Sequence, residues 1–343
     1  MNSRAKHAKR KRALARSPKT RIPGLPDATL AELHDIAGAL DENYIATNTE
    51  RSYDSDWKTW VEFCSRHEIN PLPAEVGDVR LYLTQLAAVG GRKGAKLRPK
   101  SAQRHLATIA AMHHEKGYTF NARHPVLMRT LKSMFRSFGA RAEGAPALRR
   151  ADIVAICATF SSDLRDVRDK AIILLGFAGA FRRSEIVALN VNDLEFKDGV
   201  LHVIVRRSKT DQEGEGRTVA IMPGIAQATC AVAAVRAWFK EADIKLEGDN
   251  PVFRGVGKRG AEFGRLSDRM VDRIVKSACR AARLKENYSA HSLRAGHVTE
   301  ALANGADRAA IKRQTGHRSD AMLDRYARET NLAANNSSSS LGL

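Results

Sequence analysis

Residues 194–205, LEFKDGVLHVIV, decide the fold class of the second half of the chain. Leu201, Val203 and Val205 recur at every second position, so an extended backbone carries all three on one face, and branched side chains suit a pleated, half-buried surface. Residues 217–221, RTVAI, read as a strand that returns, and the connection between the two runs is polar and glycine-rich (RRSKTDQEGEG, 206–216). A small antiparallel sheet is therefore predicted. Around it the period changes. Apolar residues three and four apart predict helices at about 149–160, 163–180, from Arg183 onward, and at about 225–241, 267–282, 291–304, 308–314 and 319–328. This half is mainly α with a small antiparallel β-sheet, an α+β domain over residues 148–330.

Upstream the alternating period is absent. Helices are predicted at about 28–40, 47–67, 73–89, 100–116 and 125–138, and in the second of them Tyr53, Trp57, Trp60, Val61 and Cys64 form an apolar face. Residues 28–138 read as a compact helical bundle. Between the halves, residues 139–147 (GARAEGAPA) have no periodicity and suit a linker. Residues 1–27 hold the block Lys9, Arg10, Lys11, Arg12 and read as a disordered basic arm able to lie on a DNA backbone, and residues 331–343, with four consecutive serines, as a disordered tail.

A length of 343 residues suits two domains, and a formal charge of +19 makes nucleic acid the leading partner, since each Lys or Arg placed along phosphates releases counterions. Cys64, Cys157, Cys230 and Cys279 are scattered, with no CxxC and no histidine at ligand spacing, so neither a metal site nor a disulfide framework is expected. No run reaches the roughly 18 to 20 apolar residues that span a bilayer, and the basic start lacks the apolar core of a secretory signal, so a cytoplasmic protein without membrane contact is expected. There is no Walker loop, no GxSxG and no HExxH, and no cofactor is implied.

Phosphodiester exchange without a metal requires a nucleophile, cations for the phosphate oxygens and an acid for the leaving 5′ oxygen. The second half supplies each: FRRSEIVAL at 181–189, SKT at 208–210 in the hairpin connection, HSLR at 291–294, GH at 316–317, and Tyr326. Any one of these is weak; five in this order are not. Over residues 145–330 the set resembles the tyrosine recombinase (phage integrase) family, whose pattern is Arg, Lys, His-x-x-Arg, His or Trp, then Tyr. The resemblance implies a SAM-like core-binding domain followed by the tyrosine recombinase catalytic domain.

Carried over position by position, it implies that Arg182 and Arg294 hold the non-bridging oxygens with planar forks that lysine lacks. Arg183 is the alternative occupant of the first slot. Glu185 matches a supporting carboxylate that orients an arginine or histidine, Lys209 the general acid, His291 a proton-handling group, His317 a donor to the remaining oxygen and Tyr326 the nucleophile. A phenol, with an ordinary pKa near 10, needs such cations to attack. His297 falls outside the pattern and reads as structural.

Residues 100–117 look like the DNA-facing helix of Cre-like members, which makes Lys100, Gln103 and Arg104 candidate groove contacts. Arg269, at a helix start after Ser267, is a further DNA candidate. The family further implies double-stranded DNA with inverted-repeat sites, a clamp of two domains, a homotetramer on two sites and a Holliday junction between strand exchanges, serving integration, excision or resolution. The polar residues after Tyr326 make a poor docking helix. The competing readings are a type IB topoisomerase-like strand transferase and a non-catalytic DNA-binding protein of the same fold.

Overall fold

The computed structural model describes residues 30–42, 47–91, 94, 96–139, 144–206, 216–245, 247–258 and 260–330. The expected arm (1–27), the expected tail (331–343), most of the hairpin connection with Lys209 and part of the expected linker (140–143) lie outside the described residues. The chain divides into two compact units, Met1–Ala142 and Glu143–Leu343.

The first unit is helical: α1 (Leu30–Glu42), α2 (Thr47–Arg66), α3 (Val76–Ala88), α4 (Pro99–Glu115) and α5 (Pro125–Phe138). Pro99 and Pro125 stand in the first turns of α4 and α5, where their missing N–H groups cost nothing. The core joins Trp60, Phe63 and Cys64 to Tyr82, Leu83, Leu86, Ile109 and Leu127. The face predicted on α2 is corrected at one position: Val61 is exposed and Phe63 takes the inward place. α3 begins at Val76 rather than 73, because the Ala74 N–H is tied to His113 Nε2 at 2.8 Å and holds the preceding residues off the helical path.

The second unit contains α6 (Arg150–Cys157), α7 (Leu164–Ala178), the short α8 (Arg183–Ala188), β1 (Leu194–Lys197), β2 (Val200–Val205), β3 (Arg217–Ile221) and α9 (Ala231–Glu241). After them come β4 (Arg254–Gly257), β5 (Gly260–Arg265), α10 (Asp268–Ala281), α11 (Ala290–Ala303), α12 (Arg308–Thr315) and α13 (Asp320–Thr330). The run read as a single strand is a hairpin: Asp198 and Gly199 take positive φ, and Leu194 pairs with Val203 across the turn. β2 then pairs antiparallel with β3, Leu201 opposite Ile221 and Val205 opposite Arg217. Leu201, Val203 and Val205 all point into the core. The helix expected from 225 starts at Ala231, where the Cys230 Sγ accepts from the Ala233 N–H. The β4–β5 ribbon was not predicted. The molecule is thus mainly helical with small antiparallel sheets, and no helix among the described residues is long and apolar enough to cross a membrane.

Candidate active site

The site is assembled on the short helix α8. Its N-cap is Arg182, whose backbone N–H donates to Glu185 Oε2 at 3.0 Å, while the Arg182 guanidinium donates to Glu185 Oε1 at 2.6 Å. Glu185 is buried, and it also accepts from Arg217, at 2.9 Å on Oε2 and 3.4 Å on Oε1. Burial would raise the carboxyl pKa, but the Arg217 hydrogen bond and charge, followed by those of Arg182, outweigh it and hold Glu185 below the ordinary carboxylate value. Of the two neighbouring arginines, Arg183 turns away to Asp268 at 3.2 Å, whereas Arg182 faces Glu185. Arg265 at the end of β5 fixes the far end of α8 by donating to the carbonyls of Val187 and Leu189.

α11 brings the second arginine. Its buried stretch from Ser292 to Gly296 passes so close to Leu148 that a Cβ on Gly296 would lie 1.9 Å from the Leu148 carbonyl oxygen, and only glycine permits that approach. Arg294 is 1% exposed and donates to the carbonyls of Ala180 and Thr315, both at 2.6 Å. Two of its five N–H groups are thereby used as anchors. Burial, then the Arg182 charge, pushes its pKa down to about 10, which still leaves it charged at neutral pH. One turn earlier, His291 is exposed. His297 instead packs inward with Nδ1 2.9 Å from the Phe177 carbonyl, the structural role expected of it.

α12 and α13 supply the rest. Gly316 closes α12 at φ +68, a left-handed position that favours glycine, and turns the chain so that His317 enters the site. Thr315 Oγ1 lies 3.0 Å from His317 Nδ1 and sets the ring. Burial, then the charges of Arg294 and Arg182, pushes the His317 pKa down to about 3, so the imidazole is neutral at physiological pH. On α13, Leu323 and Tyr326 pack on Ala295, Val298 and Ile311. Ion pairs of Arg308 and Lys312 with Asp320, and of Arg308 with Asp324, tie α13 to α12. The Tyr326 ring stacks on His317, centroids 6.4 Å apart, and its hydroxyl lies 3.4 Å from His291 Nε2.

Six of the residues singled out in the sequence, Arg182, Glu185, His291, Arg294, His317 and Tyr326, are therefore brought together. Lys209 lies outside the described residues. Lys100, Gln103 and Arg104 are exposed on the first turns of α4 in the other unit, and Arg104 Nη1 is held 3.0 Å from the buried Asp56. Arg269 is exposed on the first turn of α10, whose N-cap Ser267 accepts from the Met270 N–H. Arg217, which holds Glu185 from the other side, belongs to none of the sequence motifs; its sequence signal is that it opens the returning strand.

Residues 146–332 match the model of the phage integrase family. The chain is 31% identical over 297 residues to the "Integrase/recombinase xerD homolog" of Selenomonas ruminantium, covering 85% of this chain and 84% of that protein. It is 25% identical over 272 residues to the "Recombinase cre" of Escherichia phage P1, covering 76% of each. The crystal structure of a lambda integrase tetramer bound to a Holliday junction superposes with a TM-score of 0.51 at 18% identity, covering 93% of this chain and 88% of that one, a likeness of fold.

Proposed function

The chain belongs to the phage integrase family and is a site-specific DNA recombinase, and on that premise we propose that Tyr326 is the nucleophile of strand cleavage. Its oxygen attacks a backbone phosphate, a P–O bond to the new tyrosyl ester forms, and the P–O bond to the 5′ oxygen breaks. The products are a 3′-phosphotyrosine and a free 5′ hydroxyl. The observation that carries this reading is the Tyr326 hydroxyl 3.4 Å from His291 Nε2, in a site that holds Arg182, Arg294 and His317.

His291 accepts the phenolic proton as the attack proceeds. Arg182 and Arg294 neutralise the charge that builds on the non-bridging oxygens, and the burial of Arg294 strengthens its field by excluding water. Neutral His317 hydrogen-bonds the remaining oxygen. Lys209 gives its proton to the leaving 5′ oxygen. Rejoining runs the same steps backwards, with a 5′ hydroxyl from the partner strand attacking the phosphotyrosine. The ester conserves the bond, so no nucleotide hydrolysis is needed.

Four protomers hold two inverted-repeat sites and exchange one strand pair, then the other, through a Holliday junction. The lambda integrase tetramer on such a junction supports this assembly. Lys100, Gln103, Arg104 and Arg269 contact the duplex. Such a protein acts in the cytoplasm, on nucleoid DNA, and its likeness to a phage recombinase favours a mobile element as its source.

The test uses nicked suicide duplexes tiled from the DNA around the gene. Wild type accumulates a covalent protein–DNA adduct on denaturing gels, while Tyr326→Phe binds the same DNA and yields none. Strand cleavage retained by Tyr326→Phe would overturn the assignment. Paired sites that give exchanged products exclude the topoisomerase alternative.

A further inference from the structure

We infer that Arg217 is a positioning residue of strand cleavage: by binding Glu185 beside Arg182, it shares the carboxylate between two guanidinium groups and leaves Arg182 with positive charge for the scissile phosphate. This rests on the reading of the site as a phosphoryl-transfer centre.

Glu185 Oε1 accepts from both arginines, at 2.6 Å from Arg182 and 3.4 Å from Arg217, and Oε2 accepts from Arg217 at 2.9 Å. The two guanidinium side chains are 16% and 15% exposed and the carboxylate 2%, so water screens none of them well. A single arginine facing a buried carboxylate closes into a neutral pair and has little field left for a third group. With Arg217 present, the charges of Arg182, Arg217 and Arg294 stand against that of Glu185, the buried carboxylate bound to Arg182 and Arg217 among the described residues. The cluster stays cationic, as a phosphodiester that becomes dianionic on attack requires.

Arg217 also links three parts of the site. Its guanidinium lies along Gly316, where a Cβ would come within 3.2 Å of Nη1, so it borders the turn that delivers His317. Its Nε is buried without a hydrogen-bond partner among the described residues. Arg217 is paired with Val205 across the hairpin, at the point where the connection carrying Lys209 rejoins the sheet. None of these contacts requires Arg217 to touch DNA; it acts through Glu185 and Arg182.

The test is single-turnover cleavage of the nicked duplex with enzyme in excess, alongside gel-shift binding and thermal melting of the full chain. Arg217→Ala is expected to cleave on the order of 10²-fold more slowly, as when one preorganised donor is lost, with DNA affinity within about threefold of wild type, because the lost interaction acts on the transition state. The deciding variant is the double mutant. If Arg217 works by dividing the charge of Glu185, adding Glu185→Gln to Arg217→Ala releases Arg182 and restores cleavage by about tenfold. A merely structural Arg217 predicts the reverse, with the two losses multiplying.

Should Arg217→Ala melt at room temperature, Arg217→Lys, which keeps the charge without the fork, is expected to fold and to cleave about tenfold more slowly. Multiplying losses in the double mutant, or wild-type cleavage by either single variant, overturns the inference. A wild-type protein that forms no adduct instead defeats the phosphoryl-transfer reading itself, so the two failures are distinct.

Discussion

Asp56 in the helical unit and Glu185 in the second unit are both buried carboxylates bound to arginine, 4% and 3% exposed, yet their acidities move in opposite directions. Burial pushes Asp56 up to about 6 against the Arg104 charge and the Thr108 hydroxyl, whereas Glu185 is held below its ordinary value. Equal burial cannot explain opposite outcomes, so the donors must. Asp56 faces one guanidinium at 3.0 Å that is itself 42% exposed, a distant hydroxyl at 3.4 Å and His105 at 3.3 Å. Burial, then the Arg104 charge, pushes His105 down to about 4, so that partner is neutral. Glu185 faces two guanidinium groups, both well shielded, and a backbone N–H. Charge-assisted donors of fixed sign outweigh desolvation; one half-solvated cation does not. The difference suits the two places: a nearly neutral network supports a helix surface, and a charged one lines the candidate site.

The largest effect should come from giving both positions an amide and reading Glu185 first. Glu185→Gln leaves two buried guanidinium groups without their anion, and breaking a buried pair in this way costs about 3–5 kcal/mol. Chemical denaturation at pH 7 is the measurement, and a loss below about 1 kcal/mol would break the comparison at its stronger end. The sign with pH follows from the direction of the shift. A lowered folded-state value means that the contribution of Glu185 is present above the ordinary value of 4.5 and lost as pH falls below it. The gap between variant and wild type should therefore close in acid.

The helices were legible because their apolar period is strong, and the candidate site was legible because short pieces in fixed order can be read without knowledge of the fold, four of which fall on described residues while SKT at 208–210 lies outside them. Lost to the sequence were the features made by contact alone. Arg217 sits in a stretch that also holds Arg206 and Arg207, so it reads as a solvated charge until Glu185 is found beside it. Asp56 and His105 sit on different helices with nothing local to join them, and only packing brings them within 3.3 Å. The β4–β5 ribbon, RGVGKRGAEFGR over 254–265, carries four glycines and no alternation, so no period announces it. At Asp198-Gly199 the signal was present, a dipeptide suited to positive φ, but the apolar residues on either side made one strand of what is a hairpin.

A smaller effect should appear when Asp56 and His105 are separated as titrating groups. Asp56 has a raised folded-state value, about 6 against 3.8, so its contribution is present below 3.8 and lost as pH rises through 6. His105 has a lowered one, about 4 against 6.5, so its contribution is present above 6.5 and lost as pH falls through 4. The slopes oppose each other over the shared window and conceal one another in the wild type. His105→Gln keeps a donor for Asp56 and removes one slope. Its stability should fall relative to wild type by about 2–3 kcal/mol as pH rises from 4 to 6.5, at about 1.4 kcal/mol per pKa unit. Melting curves at four pH values across that window suffice, and a constant difference between the proteins would show that the two groups are not opposed.

The smallest effect is expected for Asp56→Asn, and its smallness is the point. At pH 7 the ionised Asp56 is only slightly above its value of about 6, so burial already opposes much of what Arg104 provides. The amide oxygen can still accept from Arg104. The amide N–H would face His105, which can accept at Nε2 by carrying its proton on Nδ1, where the Tyr82 hydroxyl at 2.9 Å can change from donor to acceptor. Every partner in this network except Arg104 can reverse its polarity. None of the described donors around Glu185 can, because guanidinium groups and backbone N–H only donate, so a glutamine N–H there faces a donor. Asp56→Asn should therefore cost under about 1 kcal/mol where Glu185→Gln costs several. Equal losses at the two positions would mean that burial, not the sign and adaptability of the donors, governs both carboxylates.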